Sequence, residues 1–280
     1  MMRCFVLLLL CVGCPKASET YLRADARAPK GGGSVSADIG TKSPQDAAPE
    51  RVAMSVRWVD MRPDAAPQLV VDLRPIKGWH IYWENPGDSG LPTTFEVRQA
   101  GKLLPHRVRM PVPSRKVSPG SIVSYGYEGS TLFFIALEGA HSDRSTLVSA
   151  RWLACAETCI KGSKTLKVAA LAPTQNRAGE RELEAWKQLP SRRTIPWRRV
   201  GQSLVFMGRK EARIELFPHT ELHRRLDGHA TSYCSKNRCE LPAFILTSDA
   251  EKQPLWATVT VSSASSIESF QTDILKGIEP

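Results

Sequence analysis

The sequence predicts an all-β chain: an antiparallel β-sandwich followed by a second, mostly β region that is joined to it through a short helix. Three observations carry that expectation. Apolar residues alternate with polar ones at a period of two in several stretches, as half-buried strands require. Turn formers recur between those stretches, with 20 Pro and 19 Gly in 280 residues, the spacing expected of many short strands in a sandwich. Only one segment, Ala178–Leu189, carries apolar residues at helical spacing.

The order along the chain begins with a leader. Met1-Met2-Arg3-Cys4 is a short positive start, and Phe5–Val12 is an eight-residue apolar run, too short to span a bilayer as a helix. Small Gly13 precedes Cys14, as a signal peptidase requires. The run Cys11-Val12-Gly13-Cys14 resembles a bacterial lipobox, with Cys11 in place of the usual Leu. It implies cleavage after residue 13 and acyl chains on Cys14, a surface attachment rather than a span. A plain secretory signal is the alternative. Pro15 and Lys16 follow Cys14, without the Asp that would retain a lipoprotein at the inner membrane, so the implied address is the outer membrane, on the periplasmic side. Residues 15–50 are rich in Ala, Pro, Gly, Ser, Lys and Asp and lack apolar periodicity, so they read as a flexible tether. Its ends would sit roughly 30–36 Å apart.

Strands are expected from Arg51 onward. Val52, Met54, Val56 and Trp58 alternate with polar or small residues, and Leu69, Val71 and Leu73 do so after a Pro63-Asp64 turn. Gly78–Glu84, Thr131–Glu138, Leu147–Leu153 and Thr165–Leu171 follow as aromatic or branched runs. In the helix, Leu183, Trp186 and Leu189 share a face and Pro190 stops it. Ser203–Met207, Arg213–Phe217, Cys239–Thr247 and Leu255–Val261 complete the strands. The expected division is signal 1–13, lipidated Cys14 and tether 14–50, sandwich 51–172, and helix plus second β domain 173–280.

Within this pass a family becomes visible. The sixteen residues Gly78-Trp79-His80-Ile81-Tyr82-Trp83-Glu84-Asn85-Pro86-Gly87-Asp88-Ser89-Gly90-Leu91-Pro92-Thr93 resemble the signature of the periplasmic N-terminal domain of DsbD-like protein-disulfide reductases, especially the copper-tolerance-associated ScsB type. Ser124-Tyr125-Gly126-Tyr127-Glu128-Gly129 resembles that family's second motif, and Trp152-Leu153-Ala154-Cys155-Ala156-Glu157-Thr158-Cys159-Ile160 its third. The resemblance covers roughly residues 52–170, and only Leu189-Pro190 and Phe217-Pro218 extend it. It implies an immunoglobulin-like domain that relays electrons from a membrane-embedded module to periplasmic clients. These 280 residues depart from the full-length family in carrying neither a multi-span membrane domain nor a thioredoxin domain. A membrane reductase would therefore be supplied by another chain, and thioredoxin-like or disulfide-bearing proteins are the expected partners.

The cysteines are where such chemistry would sit. Of seven, Cys4 and Cys11 leave with the signal and Cys14 takes the lipid, which leaves Cys155, Cys159, Cys234 and Cys239. An even number in an exported protein suggests two disulfides, with three connectivities open and local pairing the simplest. Small rings gain little from loop closure, so they make weak staples and reducible pairs. Lys161 and Lys164 lie beside the first pair, Lys236 and Arg238 within or beside the second, and positive neighbours favour thiolate; Glu157 opposes at the first pair. A redox relay and a non-enzymatic binding or scaffold protein with structural disulfides both remain open.

A second constellation, His219, His223 and His229 ahead of Cys234 and Cys239, would suit copper or zinc. Its spacing matches no zinc finger, and solvated loop histidines are the simpler expectation. The copper association of ScsB-type proteins makes that ion the one to test. No phosphate loop, nucleophile triad or paired carboxylate is recognisable, so no cofactor and no hydrolase are expected. The net charge of +10 is scattered in groups such as Arg107/Arg109, Arg192/Arg193 and Arg224/Arg225. Interleaved acids and the lack of a recognition motif argue against nucleic acid.

Overall fold

A computed structural model describes residues 50–61, 66–138, 143–170, 176–192, 197–200, 203–207, 212–219, 224–226, 231–235, 238–241, 244–246, 256–273 and 278–279. The signal, Cys14 and the tether up to residue 49 lie outside these residues, as do His223, His229 and Lys236. Residues Ala48–Pro280 make one compact unit.

The first half is a sandwich of two antiparallel sheets. Its strands are β1 (Val52–Val59), β2 (Gln68–Pro75), β3 (His80–Gly87), β4 (Thr94–Gln99), β5 (Lys102–Leu103), β6 (His106–Arg109), β7 (Ser114–Ser118), β8 (Ile122–Glu128), β9 (Thr131–Leu137), β10 (Thr146–Cys155) and β11 (Cys159–Val168). One sheet runs β1-β2-β9-β6 and the other β5-β4-β10-β3-β8-β7, with β11 on the free edge of β10. The inward residues of the period-two pattern meet between them: Trp58, Leu69, Val71, Leu73, Ile81, Trp83, Phe133, Ile135, Val148 and Trp152 form one buried cluster.

Strand β9 is apolar on both faces because both are covered. Phe133 and Ile135 point into the sandwich, while Leu132 and Phe134 join Val59, Met61 and Val70 in a second cluster on the outer face. The cover is α1 (Glu180–Lys187), which packs Ala185 and Trp186 there, with Leu189 buried just beyond its end. Leu183, expected on the same apolar stripe, is instead exposed, since a short helix on a flat sheet buries a narrow strip. Glu182 caps the helix start by accepting from the Gly179 N–H, and polar clasps fix the docking. Arg57 pairs with Glu182, and Arg181 and Arg74 both donate to Asp72 at 2.9 Å.

The second half contains β12 (Ser191–Arg192), β13 (Trp197–Val200), β14 (Ser203–Met207), β15 (Arg213–Pro218), β16 (Arg224–Leu226), β17 (Thr231–Tyr233), β18 (Arg238–Leu241), β19 (Phe244–Leu246), β20 (Trp256–Ser262), β21 (Ile267–Asp273) and β22 (Ile278–Glu279). They make a sheet β12-β21-β20-β15-β17, a sheet β18-β14-β13-β22 and a β16-β19 pair. Ile214, Leu216, Ala257, Val259 and Phe270 are buried within it. The run expected as one strand over Cys239–Thr247 is two, β18 and β19, pairing with different partners.

Strand β15 also ties the second half to the first. Phe217 belongs to the sandwich cluster, edge-on to Trp83 and Tyr125. Arg115 donates to the Leu216 carbonyl at 3.1 Å, and Asn85 to that of Pro218 at 2.9 Å.

Candidate functional site

Cys155 ends β10 and Cys159 begins β11, directly opposite each other in the antiparallel register. Ala156, Glu157 and Thr158 close the hairpin, with the Ala156 N–H donating to the Thr158 carbonyl at 3.0 Å. The turn brings the two Cα atoms to 4.1 Å and the sulfurs are bonded. The two halves of the disulfide differ in access: Cys155 is 2% exposed, whereas Cys159 lies on the surface. Of the two, Cys159 is the half of the disulfide open to solvent.

The far side of Cys155 is built by the first family-like motif. In the pairing of β10 with β3, Cys155 stands opposite His80. Tyr82, two residues on and so on the same face, donates its hydroxyl to Cys155 Sγ at 3.4 Å. Burial pushes the Tyr82 hydroxyl pKa up, against a lowering hydrogen bond with Ser89, so it stays a donor at neutral pH. The Ser89-Gly90 turn lies on the Tyr82 ring. A Cβ at Gly90 would sit 2.4 Å from that ring, and its φ of +114° suits glycine alone. Thr93 donates to the Tyr82 carbonyl at 2.6 Å, closing the loop from the other end.

Charge enters through Lys116 on edge strand β7. Its ammonium pairs with Glu128, which faces His80 across β3 and β8, and lies 3.5 Å from His80 Nδ1. Burial and then the Lys116 charge hold the His80 pKa below its ordinary value, with Glu128 opposing. A neutral His80 can accept from Lys116. The hydrogen bond and charge of Lys116 lower the Glu128 pKa in turn. An open groove of about 700 Å³ runs along this surface, lined among others by Trp79, His80, Tyr82, Lys116, Cys155 and Cys159.

Several expectations take different places. Of the two lysines beside the first pair, Lys164 holds Glu50 at 2.8 Å. The groove draws its nearby cations from Lys77 and Lys116. The roles of Tyr82 and His80 were not foreseen from spacing, although both stand in the first motif. The signal was there in their alternation on one strand, but only register reveals that Cys155 lies beside them.

Cys234 and Cys239 are also disulfide-bonded, and both are buried, at 4% and 1% exposure. Reciprocal Ser235–Arg238 backbone bonds form the turn, and the Cys234 N–H donates to Ala212. The bridge joins the end of β17 to β18, and so links the two larger sheets of the second half. Arg238 points to Glu240 at 3.7 Å. His219 lies far from this pair in the chain's architecture: its Nδ1 meets Glu84, its Nε2 lies 2.8 Å from the Thr258 hydroxyl, and its ring is edge-on to Trp83. Among the described residues no group of three or more His, Cys, Asp or Glu side chains gathers to hold a metal.

Residues 45–170 match the family described as the N-terminal part of the thiol:disulfide interchange protein DsbD. The fold resembles the N-terminal periplasmic domain of ScsB from Proteus mirabilis, at a TM-score of 0.55 and 16% identity, over 79% of this chain and 91% of that one. The Neisseria meningitidis DsbD N-terminal domain in its reduced form also aligns, with a TM-score of 0.31 and 12% identity over 42% of this chain and 86% of that one. No curated protein matches the sequence. The ScsB match extends beyond residue 170, so the shared fold takes in part of the second half.

Proposed function

Starting from a chain whose residues 45–170 are a DsbD-like N-terminal domain, we propose that it is a thiol–disulfide exchange protein of the cell envelope, relaying electrons between a membrane reductase supplied by another chain and thioredoxin-like or disulfide-bearing periplasmic partners. The observation that carries this reading is the asymmetry of one pair: both cysteines line the groove, but Cys159 is exposed and Cys155 is buried beneath a hydroxyl donor.

The exchange runs in two halves. A donor thiolate attacks Cys159 Sγ, the Cys155–Cys159 bond breaks, and Cys155 leaves as a thiolate that accepts from Tyr82 before taking a proton. The donor's second thiol then attacks the mixed disulfide. This frees Cys159 and leaves the donor as a disulfide, with two electrons passed to this chain. In the second half, Cys159 thiolate attacks a partner disulfide. Cys155 then attacks Cys159 Sγ, restoring the internal bond and releasing the partner as a dithiol. A hydrogen bond to a leaving sulfur favours the thiolate, which is both the better leaving group and the form that attacks.

In this reading the buried Cys234–Cys239 bridge is a staple between sheets and takes no part in exchange. The sandwich over 51–172 is the redox domain, and 173–280 forms a second domain that braces it. Acyl chains on Cys14 and the tether over 14–50 would hold both on the periplasmic side of the outer membrane, with contact to lipid only through that anchor. No helix among the described residues is long and apolar enough to cross a membrane.

Single-cysteine trapping in the periplasm tests the proposal. Cys155→Ser leaves Cys159 unable to be released and should accumulate mixed disulfides, whereas Cys159→Ser and Cys234→Ser should not. Absence of adducts with Cys155→Ser would favour the alternative, a binding or scaffold protein whose disulfides are only structural.

A further inference from the structure

A second cavity, of about 540 Å³, lies where the two halves of the folded unit meet. That is within the range of small-molecule sites, roughly 300–1,000 Å³. Two edge strands contribute to it. Arg107 and Arg109 alternate on β6, the outer strand of the first sheet, and so share a face. Arg192 lies on β12, the outer strand of the second half's larger sheet, beside Gln271.

These three arginines have no carboxylate partner among the described residues. Aromatic rings hold two of them instead. The Arg109 guanidinium stacks 4.3 Å from the Trp186 ring centroid, and that of Arg192 lies 5.2 Å from Trp256. Stacking fixes a planar guanidinium while leaving its N–H edge free, the arrangement that suits fork-like recognition of carboxylate or phosphate. Burial lowers the Arg109 pKa, the sign of a charge held partly out of water without a counterion. Glu84 is the acid in the cleft wall, and His219 engages it. Trp83, Met110 and Trp256 supply apolar wall.

We propose that this cleft binds a small organic oxyanion, a compound with two or more carboxylate or phosphate groups on a flat or apolar body. Arg107, Arg109 and Arg192 hold the charged groups, Gln271 adds a hydrogen bond, and Trp256 and Met110 meet the body. The site is separate from the cysteine groove and does not depend on exchange activity.

Charged side chains also protect sheet edges from pairing with other chains, and that role needs no ligand. Calorimetric titration of the whole chain separates the two. Benzene-1,3,5-tricarboxylate and pyrophosphate serve as the carboxylate and phosphate probes, with benzyl alcohol as the uncharged control. The expected result is saturable one-to-one binding of at least one anionic probe and none of the alcohol. An Arg107→Gln/Arg192→Gln double variant should weaken binding at least tenfold. If that variant does not fold, Arg107→Gln alone, at an exposed position, should weaken it at least threefold. Lys167→Gln, on the exposed edge strand β11, should leave binding unchanged. No saturable binding by either anion, or equal weakening by Lys167→Gln and the arginine variants, would overturn the proposal and leave edge protection as the role of these charges.

Discussion

Cys155 and Cys159 have the same covalent chemistry and opposite surroundings, and that difference is the work of single residues. The Tyr82 hydroxyl is the contact that distinguishes the buried sulfur. A net hydrogen bond contributes about 0.5–1.5 kcal/mol, so Tyr82→Phe should slow reduction by dithiothreitol by about two- to tenfold, read by stopped-flow alkylation. Lys116 reaches the same groove through His80. Because burial and Lys116 both depress the His80 pKa, its imidazole protons should titrate below the ordinary range in NMR, and Lys116→Met should move that midpoint up. Neither role was legible in the sequence. Tyr82 and His80 read as ordinary strand aromatics, because what sets them apart is the neighbour across β10, and cross-strand register cannot be read from one strand.

Among the elements, the irregular end of β3 and the helix that covers β9 are each held by polar ties. Asn85 donates to the Pro218 carbonyl and accepts from the Gly87 N–H at 2.9 Å, so one buried amide ties the end of β3 to β15. Asn85→Ala should cost about 1–3 kcal/mol in chemical denaturation. It should also raise the rate of Cys155 alkylation in the reduced protein, since the cover over Tyr82 loosens. Docking of α1 carries a pH signature. Burial alone would raise the pKa of Asp72 and of Glu182, yet hydrogen bonds from Arg181, Ser130 and Arg74 to the first, and from Arg57 to the second, leave both lowered. Folded pKa values below the unfolded ones mean stability that is present at neutral pH and is lost as pH falls through the carboxylate range. The protection factors of the α1 amides should therefore fall below about pH 4, whereas Asp72→Asn should lower them already at neutral pH and shrink the fall on acidification. The helix itself was legible from its apolar spacing and Pro190. The sequence marks a strand only over Thr165–Leu171, whereas β11 begins at Cys159, because its Lys, Gly, Ser and Thr residues are mostly exposed and show no apolar alternation. The outer cluster at β9 is not legible either: an unbroken apolar run such as Leu132–Leu137 says that both faces are covered, not by what.

Across the whole molecule, the two disulfides differ in setting: Cys155–Cys159 has one exposed half, and Cys234–Cys239 is buried at both ends. The pair in the family-like motif sits at a hairpin tip over a groove, and the other lies inside, bridging sheets of a half whose sequence carried only weak resemblance. Sequence spacing alone ranked them nearly equal; burial separates them. Removing the inner bridge with Cys234→Ala/Cys239→Ala should cost about 2 kcal/mol for so small a ring, without loss of exchange by the outer pair. The most direct test is the reduction potential of each pair, measured by equilibration with glutathione and mass spectrometry of the alkylated thiols. Cys155–Cys159 should fall among exchange proteins, at about −180 to −270 mV, and Cys234–Cys239 below about −300 mV. A Cys155–Cys159 potential below about −300 mV, with no mixed disulfide trapped, would contradict the account and make this a protein held by two structural bridges.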